Sequence, residues 1–311
     1  MDSGKGNEMR KAVFGIIALL IVGFGIYRGV TSYRARQIEE LEEERIIPVV
    51  VNHVEKGDIR GLLYFTGDIR GYEEIDVFPR VAGKLLKNLV EEGDTVKKGT
   101  VIALIDRDIA GMKFEPSEVT SPIAGILGKL YLDKGAGVNP PTMSPAMGTP
   151  IAMIVNMDKV KVVIYIIEKD LSRVNKGQVA EITVDAYPDK IFQGTVTTFR
   201  PIVDLMSRTA KAEITIPNPG HLLRPGMFAR VNLIVAEKQG VLTVPIDALL
   251  ESSEEKFLFV EKDGKVEKRT VKTGIREGQR VEIKEGLKAG ERLVVIGQEM
   301  LSDGMAVKVI E

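Results

Sequence analysis

A mainly β chain of several small modules, behind one N-terminal apolar segment, is the fold class this sequence predicts. Three observations carry it. A stretch occurs twice, at residues 81–105 and 123–154. Runs of Val, Ile and Leu, four to six residues long, lie between Gly, Asp and Pro punctuation, which is the grammar of short strands and tight turns. The 311 residues include 31 Gly, 14 Pro and no Trp, material for several small cores joined by turns.

The repeat fixes the architecture and is read first. One copy reads VAGKLLKNLVEEGDTVKKGTVIALI and the other IAGILGKLYLDKGAGVNPPTMSPAMGTPIAMI. Gly83 precedes Gly93 by ten positions, as Gly125 precedes Gly135, and Val96 and Val138 each follow three later. The second copy then carries a Pro-rich insertion, NPPTMSPAM at 139–147, before the register returns at Gly99/Ile102 and Gly148/Ile151. The glycines fall where a hairpin needs a positive φ, which a β-carbon disfavours. One copy is too small to bury both faces of its strands, so the two are expected to pack together as a small sandwich.

Composition narrows the function. With 44 acidic and 43 basic residues the chain lacks the basic excess of a general nucleic-acid binder. The absence of Cys removes disulfides, thiolate metal sites and a lipid-modified N-terminal cysteine. His53 and His221 are the only histidines, too few for most zinc or triad chemistry. Met143 and Met147 in the insertion are soft enough for copper(I), but without Cys or a neighbouring His they read as apolar filler. No metal and no cofactor is expected. No phosphate-cradling glycine loop and no H-E-x-x-H motif is present, so the chain reads as a non-enzyme.

Residues 1–11 are polar. Residues 12–27, AVFGIIALLIVGFGIY, carry no charge, and with snorkelling by Arg28 the segment 12–30 reaches across a bilayer core at roughly 1.5 Å per residue. No A-x-A cleavage pattern follows, so it reads as an uncleaved anchor. Lys5, Arg10 and Lys11 before it balance Arg28, Arg34 and Arg36 after it, so flanking charge sets no orientation. Residues 31–46 read as a helical linker. Pro48 marks the change to strands, expected at 49–54 and 62–66 with a turn at Lys56-Gly57-Asp58 between them. Further strands are expected at 179–184, 194–199, 210–216 and 227–235, with one or two helical turns at 168–174 and a new domain opening at 160–167.

These segments resemble a known family. The repeats look like the two halves of a biotinyl/lipoyl-type domain, as split in periplasmic adaptor (membrane fusion) proteins of the HlyD/RND efflux type. PNPGHLLRPGMFARVNLIV at 217–235 resembles that family's β-barrel signature, and Ser207-Arg208-Thr209 the turn before it. Val244-Pro245 with Ala248-Leu249, and then Gly286-Leu287-Lys288-Ala289-Gly290-Glu291, resemble its membrane-proximal domain. The resemblance covers residues 47–311 with one departure. Between the halves the family inserts a long helical hairpin; here only DRDIAGMKFEPSEVTS, residues 106–121, joins them.

The resemblance implies a cytoplasmic N-terminus (1–11), a transmembrane anchor (12–30), a helical linker (31–46), and strands lent to the membrane-proximal and β-barrel domains (47–75). A hairpin-less lipoyl-like, barrel-sandwich hybrid domain (76–157), a β-barrel domain (158–237) and a β-rich membrane-proximal domain (238–311) follow. It also implies a coupling role without catalysis, at the inner membrane with the bulk in the periplasm. The expected partners are an inner-membrane efflux transporter, RND in preference to ABC, an outer-membrane channel, and further copies of the chain in a trimer or hexamer, with no nucleic acid. The expected partner-facing residues are Lys113, Phe114 and Pro116 in the connector, with Arg208 and His221 in the barrel turns. A second class of function is a membrane-tethered biotin or lipoyl carrier modified at Lys113, because Met112-Lys113 with Pro122 and Gly125 resembles the carrier hairpin.

Overall fold

The computed structural model describes residues 46–107, 112–141, 147–253 and 255–310. The expected anchor and nearly all of the helical linker lie outside the described residues. Among the described residues no helix is long and apolar enough to cross a membrane.

The strands in chain order begin with Ile47–His53 (β1), Glu55–Val77 (β2), Gly83–Asn88 (β3), Thr95–Val96 (β4) and Val101–Asp106 (β5). Ser117–Thr120 (β6), Gly125–Leu130 (β7), Gly137–Val138 (β8) and Ala152–Ile167 (β9) complete the repeat region. Val179–Val184 (β10), Tyr187–Asp204 (β11), Thr209–Pro217 (β12) and Phe228–Pro245 (β13) follow. The last are Leu250–Glu251 (β14), Lys256–Lys262 (β15), Lys265–Thr270 (β16), Lys272–Glu277 (β17), Arg280–Glu285 (β18), Arg292–Ile296 (β19) and Val307–Val309 (β20). The described residues form two compact units, one holding residues 61–236 and the other the residues on either side.

The repeat folds as an interlocked pair. The first strand of each copy pairs with the second strand of the other: Gly83 opposes Val138 across β3 and β8, and Gly125 opposes Val96 across β7 and β4. The backbone bonds repeat the symmetry. Gly93 N–H donates to Leu127 O and Gly135 N–H to Leu85 O, while Leu127 N–H returns to Asp94 O and Leu85 N–H to Ala136 O. The equivalent side chains Leu85/Leu127, Val96/Val138, Ile102/Ile151 and Ile105/Ile154 are all buried in one core. Neither half has a dry interior without the other, which is the physical reason for the duplication.

The second module of this unit is a closed barrel. Its strands run β13-β10-β11-β12-β9, and β2 closes the ring by pairing with both β13 and β9. Ile164, Ile182, Ile214, Val231 and their neighbours fill it at full burial. β9 is continuous from Ala152 and Ile154 in the sandwich core to Val160 and Ile166 in the barrel core. The strand expected to open the new module at 160 thus starts earlier, at Ala152, and passes from one core into the other. β2 does the same in reverse, with Ile69 in the barrel and Val77 in the sandwich.

The turn expected at Lys56-Gly57-Asp58 is absent, because β2 runs unbroken through these residues. The chain turns one step earlier, at buried Val54, whose N–H donates to Glu291 O and whose carbonyl accepts from Gly290 N–H. Gly57 is an ordinary strand residue here: a β-carbon added to it would lie 3.4 Å from Thr243 Oγ1, a normal contact.

The other unit is built by return of the chain. β1 lies between β19 and β20 in a sheet that also holds β14, β15 and β16. Strands β17 and β18, with the end of β13, form its second layer. Phe259, Val266 and Val294 pack with Val49 in one core, and Val244, Leu258 and Ile283 pack with Val54 in another.

Candidate functional site

The expected partner-facing residues sit on three loops, all in the sandwich–barrel unit. Residues 107–116 join β5 to β6 with no room for a long hairpin. Within them Lys113, Phe114 and Pro116 are exposed. Arg107 clamps this connector: its guanidinium lies 5.5 Å over the Phe114 ring, and its Nη2 and Nε donate to Glu115 O at 2.8 and 3.3 Å. His221 has a positive φ of 52°, and its Nε2 lies 3.1 Å from Asp158 Oδ1 at the edge of the barrel. Arg208 also has a φ of 52° and stands exposed where β11 turns into β12.

The turn carrying His221 is held by a residue the sequence reading passed over. Asn218 is buried; its Nδ2 donates to Met157 O and Leu223 O, and its Oδ1 accepts Leu223 N–H at 2.9 Å. Three backbone groups thus depend on one amide, which explains why Asn precedes Pro219-Gly220 in the signature. Gly226, at φ 89°, completes the next turn, where Met227 N–H donates to Arg224 O. Asn218→Ala leaves two carbonyls and one amide without partners and is expected to cost about 1–3 kcal/mol. Loss of amide protection at Leu223 in hydrogen exchange measures it; unchanged protection would refute the bracket.

The β11–β12 hairpin has the most unusual surface. Ile202, Leu205 and Met206 are 84%, 91% and 95% exposed. The turn beneath them is rigid, because Asp204 Oδ1 accepts from Met206 N–H, Ser207 N–H and Ser207 Oγ, and Arg208 N–H donates to Asp204 O. Those bonds, led by the one from the Ser207 amide, hold the Asp204 carboxyl below the usual carboxylate range. At the hairpin base an open groove of about 730 Å³ is lined by Tyr165, Phe199, Pro201 and Lys211 among others. The sequence signal was present in I-V-D-L-M-S-R, where large apolar residues occupy a turn that polar ones normally fill.

Among the described residues no group of three or more His, Cys, Asp or Glu side chains could hold a metal ion. The arrangement offers rigid contact surfaces on closed β modules.

That order of modules defines a class: a barrel-sandwich hybrid threaded into a β-barrel, with a further β domain assembled from both ends. Three family models match it in sequence. The RND MFP barrel-sandwich hybrid domain matches residues 73–147, the CusB-like β-barrel domain 159–237, and the YknX C-terminal permuted SH3-like domain 241–309. The chain belongs to the membrane fusion proteins of the RND type. It is 27% identical over 235 residues to multidrug resistance protein MdtA of Xenorhabdus bovienii, covering 72% of this chain and 56% of that protein. Against MdtA of Escherichia coli strain SMS-3-5 it is 28% identical over 209 residues, covering 65% and 49%. The chain thus spans about half the length of the curated relatives it matches. MacA from Actinobacillus actinomycetemcomitans shares the fold at a TM-score of 0.63 and 20% identity, over 78% of this chain and 98% of that one. A MacA–MexA chimera carrying the Pseudomonas aeruginosa MexA α-hairpin shares it at 0.61 and 22%, over 79% and 100%.

Proposed function

We propose that the chain is the periplasmic adaptor of a tripartite efflux pump, holding an inner-membrane transporter of the RND type in line with an outer-membrane channel. The observation that carries this reading is the continuity of β2 and β9 through two closed cores, which makes the sandwich and barrel one mechanical piece. Such a piece transmits force and position and has no chemistry of its own to perform. The anchor at 12–30 holds it at the inner membrane, and the transporter supplies the energy. Without a long hairpin, the connector 107–116 with Lys113, Phe114 and Pro116 is the end of the sandwich that meets the channel. Copies associate head to tail into a trimer or hexamer, since a heterologous interface that closes makes a ring.

The test is purification of the full chain from its native membranes in mild detergent. A polytopic transporter of the RND type and an outer-membrane channel are expected to come with it. Recovery of a biotin- or lipoate-dependent enzyme complex instead, with added mass at Lys113, would replace this reading by that of a carrier. Recovery of an ABC exporter would keep the adaptor role and change the energy source.

A further inference from the structure

The barrel wall below the β11–β12 turn is concave, and the shape comes from an unequal count of residues. Arg200 opposes Lys211 and Asp204 opposes Thr209, so Pro201, Ile202 and Val203 on β11 face Ala210 alone on β12. The surplus lifts β11 into an arch, as a bulge does, and Pro201 has no N–H with which to hold the ladder. Beside the arch lies the groove of about 730 Å³, inside the roughly 300–1,000 Å³ of small-molecule sites.

Its walls are apolar and its floor is cationic. β12 runs between β11 and β9, so Lys211 and Thr209 lie between Phe199, Pro201 and Ile202 on one side and Tyr165 on the other. Tyr165 is directly opposite Lys211 and is 59% exposed, an aromatic face left to water. Arg200 and Lys211 are like charges set directly across from each other, an arrangement that is destabilising by itself. Lys211 is relieved by Glu213 at 3.3 Å. Asp204 is engaged by its own turn, its Oδ1 accepting from Met206 N–H, Ser207 N–H and Ser207 Oγ. Among the described residues the Arg200 guanidinium has no carboxylate partner.

We propose that this groove is a binding site for a small amphipathic acid, a carboxylate or phosphate monoester carried on a ring or short apolar body. The head group receives the Arg200 fork, whose planar donors match either oxyanion. The body lies over β12, between Tyr165 and Pro201. A protein surface fits less well. No single side chain carries an apolar ring and a carboxylate together, so a partner would have to bring two residues into one slot. The site goes beyond the adaptor reading and does not depend on it.

The full chain in nanodiscs is titrated against naphthoate, naphthyl phosphate and neutral naphthamide, each followed by its own fluorescence anisotropy with empty nanodiscs as background. The chain has no Trp, so the probes are read without indole emission. Saturable binding of an acid, at least tenfold tighter than that of the amide, is expected, and whichever acid binds tighter assigns the head group. Arg200→Gln should remove that preference, and Tyr165→Ala should weaken acid and amide alike. Both variants should keep the parent's thermal midpoint, because both side chains are exposed. Irradiation with azidobenzoate should add mass to peptides holding residues 165 or 199–202. Equal affinity for acid and amide, an unchanged preference in Arg200→Gln, label confined to other residues, or no saturable binding would overturn the proposal. So would binding that appears only once the chain is diluted to a monomer, which would make a second copy the occupant. The adaptor reading stands or falls separately, on the proteins that co-purify.

Discussion

Gly83→Val and Gly125→Val are each expected to unfold the sandwich, whereas Gly93→Ala and Gly135→Ala weaken it only modestly. The four glycines occupy equivalent places in the two copies but answer to different physics. A β-carbon at Gly83 would lie 2.2 Å from Asp106 O and 2.7 Å from Ile105 Cγ2. At Gly125 the same atom would lie 2.5 Å from Val155 O and 3.1 Å from Ile154 Cγ2, the repeat equivalents of those two residues. Backbone oxygen cannot give way without breaking the β3–β5 or β7–β9 ladder. The cost therefore exceeds the roughly 1–3 kcal/mol of ordinary overpacking. Gly93 and Gly135 have φ near 97° and 92° with nothing within 4 Å of the added carbon. Alanine there meets only the left-handed penalty, about 1–2 kcal/mol. Hydrogen exchange of the β3 and β7 amides separates the cases. Valine at 83 or 125 should abolish protection across both copies, because neither half is dry alone, and the alanines should lower it by about fivefold to thirtyfold, the same 1–2 kcal/mol expressed as a ratio. Full protection in Gly83→Val would refute the close-approach argument.

The sequence showed that pattern through spacing alone: ten residues from Gly83 to Gly93, ten again from Gly125 to Gly135, and strand residues on matching sides. What spacing could not show was that the copies exchange strands, because pairing partners distant in sequence leave no local trace. Turn signals were legible where a glycine needs positive φ, as at Gly226, and misleading where it does not. Gly57 sits inside β2 with only ordinary contacts beside it, and composition cannot tell such a strand glycine from a turn glycine. The boundary expected near residue 158 hid the continuity of β9, because a strand serving two cores has the same Val/Ile pattern as two strands end to end. The barrel turns that carry Arg208 and His221 were legible through their signature motifs. Asn218 was not, since a buried amide and an exposed turn amide look alike in sequence. Glu282 was the least visible, appearing as one carboxylate among 44 acidic residues.

Yet Glu282 is among the few buried charges, and its removal is expected to be the costliest change in the unit that includes residues 237–310. Its residue is 3% exposed. Lys238 Nζ donates to Oε1 at 2.7 Å and Ile275 N–H to Oε2 at 2.9 Å. Gly274 leaves the room in which that carboxylate lies, since a β-carbon there would be 2.0 Å from Oε2. Burial alone would raise the carboxyl. The bonds from Lys238 and Ile275, with the charges of Lys238 and Lys284, outweigh it and hold the group below its ordinary 4.5. A carboxylate whose folded pKa is depressed contributes stability that is fully present above its unfolded value. That stability is lost as pH falls through the folded value. Glu282→Gln is therefore expected to cost about 2–4 kcal/mol at pH 7, as a charged bond and a buried pairing are replaced by a neutral amide. The gap should narrow steadily as pH falls below about 4.5, as the unfolded carboxyl takes up its proton first and the folded one only in stronger acid. Glu277 shares the direction: burial raises it, but the Arg60 backbone and guanidinium bonds lower it further, so the unit as a whole loses stability over the same acid range. Pulse proteolysis in urea, with fragments assigned to residues 237–310 by mass, reads the difference at pH 7 and pH 3.5. A gap that stays constant or widens in acid would show that Glu282 contributes through shape and not through its charge.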